Sequence, residues 1–178
     1  MKTATQPISS LKVLVCTFAL MIGASGNYAA ARIGKFPKEA AARQQMHSLD
    51  GQSFSLASMH GQVVVLDFFT TWCGHSRLHI PTIKRIDGEE REHGAKVIGL
   101  AVEEADATVL RFIKEHQIDY PVTTVKDAVF GGYVESRDVS VPQTLVYGRD
   151  GRLAAHFIGH STETDTELAA AVRRELKK

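Results

Sequence analysis

Cys73 is the residue most able to do chemistry in this sequence, because of what precedes and follows it. Val63-Val64-Val65-Leu66-Asp67-Phe68-Phe69 is a continuous, mostly apolar run rich in β-branched residues. That pattern fits a central strand buried on both faces. Thr70-Thr71-Trp72-Cys73-Gly74-His75-Ser76 follows directly and opens a segment that reads as helix. At such a junction the first helical N–H groups lack partners and the positive end of the helix dipole faces outward, which favours a thiolate. Cysteines so placed ionise in a range of roughly 3.5–7.5 rather than near 8.5. His75 adds positive charge when protonated, and histidine titrates near neutrality. The Ser76 hydroxyl either donates a hydrogen bond to the thiolate, favouring its charge, or bonds to backbone in the first helical turn. Asp67 lies six residues before Cys73 on an otherwise apolar strand. A carboxyl there is expected to be desolvated, its pKa raised, and able to relay protons. Trp72 and Phe69 either surround the thiol or belong to the core.

The elements needed to position these residues can be read along the chain. His47-Ser48-Leu49-Asp50-Gly51-Gln52-Ser53-Phe54-Ser55-Leu56 places an Asp-Gly turn between two short alternating segments, a hairpin signal. A helix is expected from Gly74 to about Glu92, with Leu78, Ile83 and Ile86 on or near its apolar face and a kink at Pro81. Lys96 to Val102 is the next buried strand. Asp106 is placed to cap a helix from Ala107 to about Gln117 whose apolar face is Val109, Leu110, Phe112 and Ile113. Tyr120 to Thr124 is a short extended piece, and Val129 to Val134 a short helix or loop. Val139-Ser140-Val141-Pro142-Gln143-Thr144 leads into a strand, which Arg149-Asp150-Gly151-Arg152 turns back on Leu153 to Ile158. Thr164-x-x-Glu167 has the spacing of a capping box at the start of a last helix, with basic residues at its end.

The totals bound the function. The 178 residues carry a formal net charge of +1, with both signs spread along the chain. No basic block or aromatic-interleaved patch points to nucleic acid. Eight histidines are scattered, with His75/His79 and His156/His160 each four residues apart. A metal site needs three or four converging ligands, and none is expected here; nor is any cofactor. At the N-terminus Lys2 and Lys12 precede a ten-residue apolar run, Val13 to Ile22, and then small residues. Ala29-Ala30-Ala31 offers an A-x-A cleavage site and Ala24-Ser25-Gly26 a second. Residues 1–31 therefore read as a secretory signal peptide, or as a membrane anchor if uncleaved, and residues 32–46 as a linker. Cleavage after Ala31 leaves 178 − 31 = 147 residues with Cys73 as their single cysteine. Exported compartments are oxidising, so a lone thiol there calls for a reason.

Asp67-Phe68-Phe69-x-x-Trp72-Cys73-Gly74-His75-Ser76, with Pro81 eight residues past the cysteine, resembles the thioredoxin active-site segment. The resemblance runs from about His47 to the C-terminus. The Leu-Asp-Gly hairpin, the insert from Val102 to Thr124, and Val-Pro…Asp-Gly-Arg are similar to the TlpA/ResA-type thioredoxins of exported compartments. It implies an α/β, thioredoxin-like domain over residues 47–178, with a central mixed sheet flanked by helices and an N-terminal β-hairpin. It also implies that Val141-Pro142 is the loop, with a cis proline, that faces the active cysteine; prolyl bonds are the ones that tolerate cis. Trp72, Gly74 and Val141 would then border the substrate. Two departures stand out. Ser76 replaces the family's second cysteine, and His79 occupies the place where these relatives often carry a glutamate two residues before the helix proline. Asp67, the counterpart of thioredoxin's buried acid, is favoured over His79 as the proton carrier.

A dithiol oxidoreductase attacks a substrate disulfide with one thiolate and releases the mixed disulfide with a second cysteine. Cys73 can do the first step, and Ser76, an alcohol, cannot do the second. Release must come from outside, from a substrate thiol, glutathione or a membrane redox partner, which points to mixed-disulfide reduction or isomerisation on protein thiols. Two other functions compete. Thr70-x-x-Cys73 echoes a one-cysteine peroxidase motif working through sulfenic acid, although Leu66 stands where that motif has proline. A non-catalytic client-binding protein of the same fold is the other, since fold does not dictate function. The expected location is exported, in a bacterial periplasm.

Overall fold

The computed structural model describes residues 43–134 and 138–178. The expected signal segment, and the expected linker up to residue 42, lie outside the described residues. A two-residue strand β1 (Met46–His47) pairs antiparallel with β2 (Ser53–Phe54) around the Asp50-Gly51 turn, where Gly51 takes φ +89°, a left-handed conformation that glycine adopts at no steric cost. The hairpin thus begins one residue inside the expected linker, at a buried Met46. A 3₁₀ turn (Leu56–Met59) follows.

The main sheet has strand order β5-β4-β3-β6-β7. It is built from β3 (Val63–Phe69), β4 (Ala95–Val102), β5 (Val122–Val125), β6 (Gln143–Tyr147) and β7 (Leu153–Ile158). β3 runs parallel to β4, and β4 to β5, whereas β6 is antiparallel to both β3 and β7. The helices are α1 (Gly74–Glu90), α2 (Asp106–His116), α3 (Asp127–Tyr133) and α4 (Thr162–Leu176). The mixed sheet, flanking helices and leading hairpin are those of a thioredoxin-like α/β fold. Among the described residues no helix is long and apolar enough to cross a membrane.

Every residue of β3 is buried, and its alternation sorts them between two cores. Val63, Val65 and Phe69 join Ile80, Ile83 and Ile86 of α1, Val109 and Phe112 of α2, and Leu168 and Val172 of α4. Val64, Leu66 and Phe68 face Leu56, Met59, Phe130 and Tyr133 on the other side. Asp67 falls in the first series by parity, so its carboxyl is delivered to the face covered by α1 and α4.

Several local expectations shift. Leu78 and Leu110 are 63% and 46% exposed, off the apolar faces assigned to them. Asp106 is the first helical residue of α2 rather than its cap, which is Ala105, and its carboxylate accepts from the Thr124 hydroxyl at 2.8 Å. The last helix opens three residues early, because Ser161 is its cap and accepts from the Thr164 N–H at 3.1 Å. α1 spans Pro81, within the helix expected there.

Candidate active site

Cys73 is the N-cap of α1, with extended backbone (φ −77°, ψ 120°), so its side chain leaves the chain where the free N–H groups of the first turn begin. It is half-buried, and it is the only cysteine among the described residues. Its Sγ donates to the carbonyl of Val141 at 3.3 Å. The Val141–Pro142 peptide is cis. The structure therefore brings Cys73 together with Val141 and Pro142 across 68 residues of sequence.

The loop that carries the thiol is held from the β4 side. The Thr71 N–H and hydroxyl both donate to the Glu104 carboxylate, at 2.8 and 2.6 Å. Arg77 Nε donates to the Thr71 carbonyl at 2.9 Å, and its guanidinium lies over Phe112, 5.8 Å from the ring centre. The facing loop is held as well: Gln143 Nε2 donates to the carbonyls of Asp138 and Ser140 at 2.8 and 2.7 Å. Glu104, Arg77 and Gln143 are absent from the sequence-derived site. The available signals were weak: a Glu pair at the end of a strand, and a Gln just after Val-Pro.

The other expected residues divide. Trp72, 76% exposed, stands beside the thiol at the surface, while Phe69 is core and stacks on Phe112 at 5.6 Å. Gly74 and His75 are exposed, and a Cβ at Gly74 would meet open space. Ser76 is 1% exposed and its hydroxyl finds no hydrogen-bond partner, so it is neither bonded to the Cys73 sulfur nor to backbone.

Beneath lies a buried polar chain. Asp67 is fully enclosed; its Oδ1 accepts from the Thr144 hydroxyl at 3.1 Å, and its Oδ2 has no partner. Burial raises the Asp67 pKa against the lesser opposing pulls of His79 and Thr144, and the Asp165 charge adds to the rise. His79 Nε2 sits 3.0 Å from Thr144 Oγ1 and 3.7 Å from Asp67 Oδ1. Asp67 and His79, weighed as alternatives from the sequence, are thus linked through one hydroxyl. His79, His160 and Asp165 also bring donor atoms within 4.8 Å of one another. No metal site is expected from the sequence, yet the fold brings these three side chains together. They were hidden because α4 folds back onto α1, joining residues 86 apart.

A family description, AhpC/TSA family, matches residues 37–156. The chain belongs to the AhpC/TSA family, of thioredoxin-like fold. It is 26% identical over 120 residues to the thiol-disulfide oxidoreductase ResA of Bacillus cereus, covering 67% of this chain and 68% of that protein. A thiol:disulfide interchange protein of the thioredoxin family from Chlorobium tepidum superposes with TM-score 0.68 at 25% identity, covering 80% of this chain and 97% of that one. A secreted Mycobacterium tuberculosis disulfide oxidoreductase shares the fold, with TM-score 0.63 at 19% identity over 76% of this chain and 98% of that one.

Proposed function

We propose that this protein is an exported thiol-disulfide oxidoreductase that works through Cys73 alone. The observation that carries the reading is the half-buried Cys73 sulfur at the mouth of α1, 3.3 Å from the carbonyl that precedes cis-Pro142. The names of the ResA and thiol:disulfide interchange relatives support the reaction class. In the first step the Cys73 thiolate attacks a client disulfide, forming a Cys73–client bond and expelling the client's other sulfur as thiolate. Ser76 supplies no second sulfur. An outside thiol, from the client, glutathione or a membrane redox partner, then attacks the mixed disulfide, and the electron pair of the breaking S–S bond returns to Cys73 as thiolate. When the attacker is the client's own thiol, the net result is isomerisation. When it is glutathione, the net result is glutathione exchange, or reduction if a second glutathione follows. Exposed Trp72 beside the thiol supports a polypeptide client. The leading apolar run supports export, with anchoring if the segment is retained.

The test is to purify the protein from its native compartment under acid trapping and identify Cys73-linked partners by mass spectrometry. Client-derived mixed disulfides, reduced by glutathione with turnover, are expected. Sulfenic acid at Cys73 with peroxide consumption would assign the peroxidase chemistry instead. Undiminished client affinity in Cys73→Ala, with no mixed disulfide in the native protein, would leave a binding protein.

A further inference from the structure

Away from the thiol, three donor atoms converge where α1 meets the start of α4. His79 Nδ1 lies 2.9 Å from Asp165 Oδ1, and His160 Nδ1 lies 3.2 Å from the same oxygen. Around a tetrahedral zinc with bonds of about 2.0–2.2 Å, neighbouring ligand atoms are about 3.3–3.5 Å apart. The two edges that meet at Asp165 Oδ1 therefore need to open by only a few tenths of an ångström, and all three donor atoms lie within 4.8 Å of one another.

One arrangement of the hydrogen bonds leaves room for a cation in that cup. With Asp67 ionised, the one Thr144 hydroxyl proton goes to its Oδ1, and the 3.0 Å contact with His79 Nε2 then uses the ring N–H. A neutral ring then carries its lone pair on Nδ1, facing a carboxylate oxygen at 2.9 Å. Two lone pairs do not tolerate that approach unless a cation lies between them. The ligands are also held from behind, as metal ligands are. Thr144 fixes the His79 ring, and the second Asp165 oxygen accepts from the Thr82 hydroxyl. The side chain of His79 is 1% exposed, that of Asp165 13% and that of His160 20%. The cup is therefore closed at the His79 end and open to solvent at the other, where a water can complete the coordination. Two imidazoles and a single carboxylate match zinc and neighbouring transition ions. Calcium and magnesium take oxygen ligands.

We propose that His79, His160 and Asp165 bind one divalent transition ion of the zinc type, with a solvent-accessible fourth position, fastening the start of α4 to α1. The site is independent of the sulfur chemistry assigned to Cys73. A proton on His79 Nδ1 would satisfy the same short contact as an imidazolium–carboxylate pair, and the experiment must separate the two.

Untagged full-length protein is stripped with chelator, then titrated with zinc by calorimetry and with cobalt(II) by visible absorption. Binding of one ion per chain is expected, with the d–d bands of a four-coordinate site and a Tm that rises with free zinc, as ligation of the folded state requires. His160→Gln, at the open rim, is expected to keep the circular dichroism of the wild type and bind about tenfold or more weakly. Cys73→Ala is expected to bind as the wild type does. Equal affinity in His160→Gln, loss of binding in Cys73→Ala, or a His79 Nδ1 that keeps its proton in excess zinc by nitrogen NMR would each overturn the proposal.

Discussion

Glu104→Ala isolates the brace under the thiol loop. The Glu104 carboxylate accepts two hydrogen bonds from one residue, Thr71, whose N–H and hydroxyl lie 2.8 and 2.6 Å away. Thr71 is buried and Glu104 half-buried, so truncation strands two donors that water reaches only from one side. A hydrogen bond to a charged group contributes about 1.5–3 kcal/mol, which puts the pair at about 3–6 kcal/mol before any rehydration. Water entering the vacated space recovers part of that for the hydroxyl and less for the N–H, leaving a loss of about 2–4 kcal/mol. For a domain of this size that lowers Tm by roughly 10 °C. Glu104→Gln keeps one acceptor for the N–H but gives up the charge, and should lose about half as much. Guanidinium unfolding measures the stabilities, and alkylation of Cys73 by a small reagent reports whether the thiol has moved. Should Glu104→Ala stay within about 0.5 kcal/mol of wild type with an unchanged alkylation rate, the brace has no role and the reasoning from these two contacts fails.

Asp67→Asn tests the buried acid through pH. Burial raises the Asp67 pKa in the folded protein, so the stability tied to its proton is complete below the unfolded value of about 3.9. That stability is lost as pH rises through the folded value. With chelator present, the stability gap between variant and wild type should widen in the variant's favour as pH rises above about 4. The widening is about 1.4 kcal/mol for every tenfold gain in proton affinity, and any constant cost of the amide cancels. A flat gap would show that enclosure does not govern this carboxyl. Ser76→Cys places a second sulfur one helical turn from Cys73, and insulin reduction should appear in the variant and not in the wild type. No turnover in Ser76→Cys, despite an intact Cys73 thiol, would mean the loop no longer presents its sulfur to disulfides.

The strands and helices were legible because their signals are local. The β3 run, the Asp50-Gly51 turn and the Cys73 junction announce themselves within a few residues. Their parity even places Asp67 on the α1 side once the sheet is known. The supports of the site were not legible, because each is a pairing across the fold. Thr71 with Glu104 spans 33 residues, and His79 with Asp165 spans 86. Nothing in the neighbourhood of Asp165 marks it as more than an acid in the first turn of a helix, where the dipole alone accounts for it. Leu78 misled in the opposite way: its apolar character suited a core face, yet the helix phase set by Ile80, Ile83 and Ile86 turns it to solvent. The capping box at Thr164 failed because Ser161 reached the N–H of Thr164 first.

Gln143 spends both ends of its amide. Its NH2 is committed to the Asp138 and Ser140 carbonyls, so only its oxygen is left for His156 Nε2 at 2.8 Å, and that nitrogen must carry a hydrogen. His156 belongs to the outermost strand, β7, yet through one glutamine it grips the backbone just ahead of the carbonyl that meets the sulfur. Burial already disfavours the charged form of His156. A replacement at this rim position, two strands from β3, is therefore expected to be felt at the Cys73 sulfur, making the far edge of the sheet a place where the thiol's surroundings can be adjusted without touching the thiol's own loop.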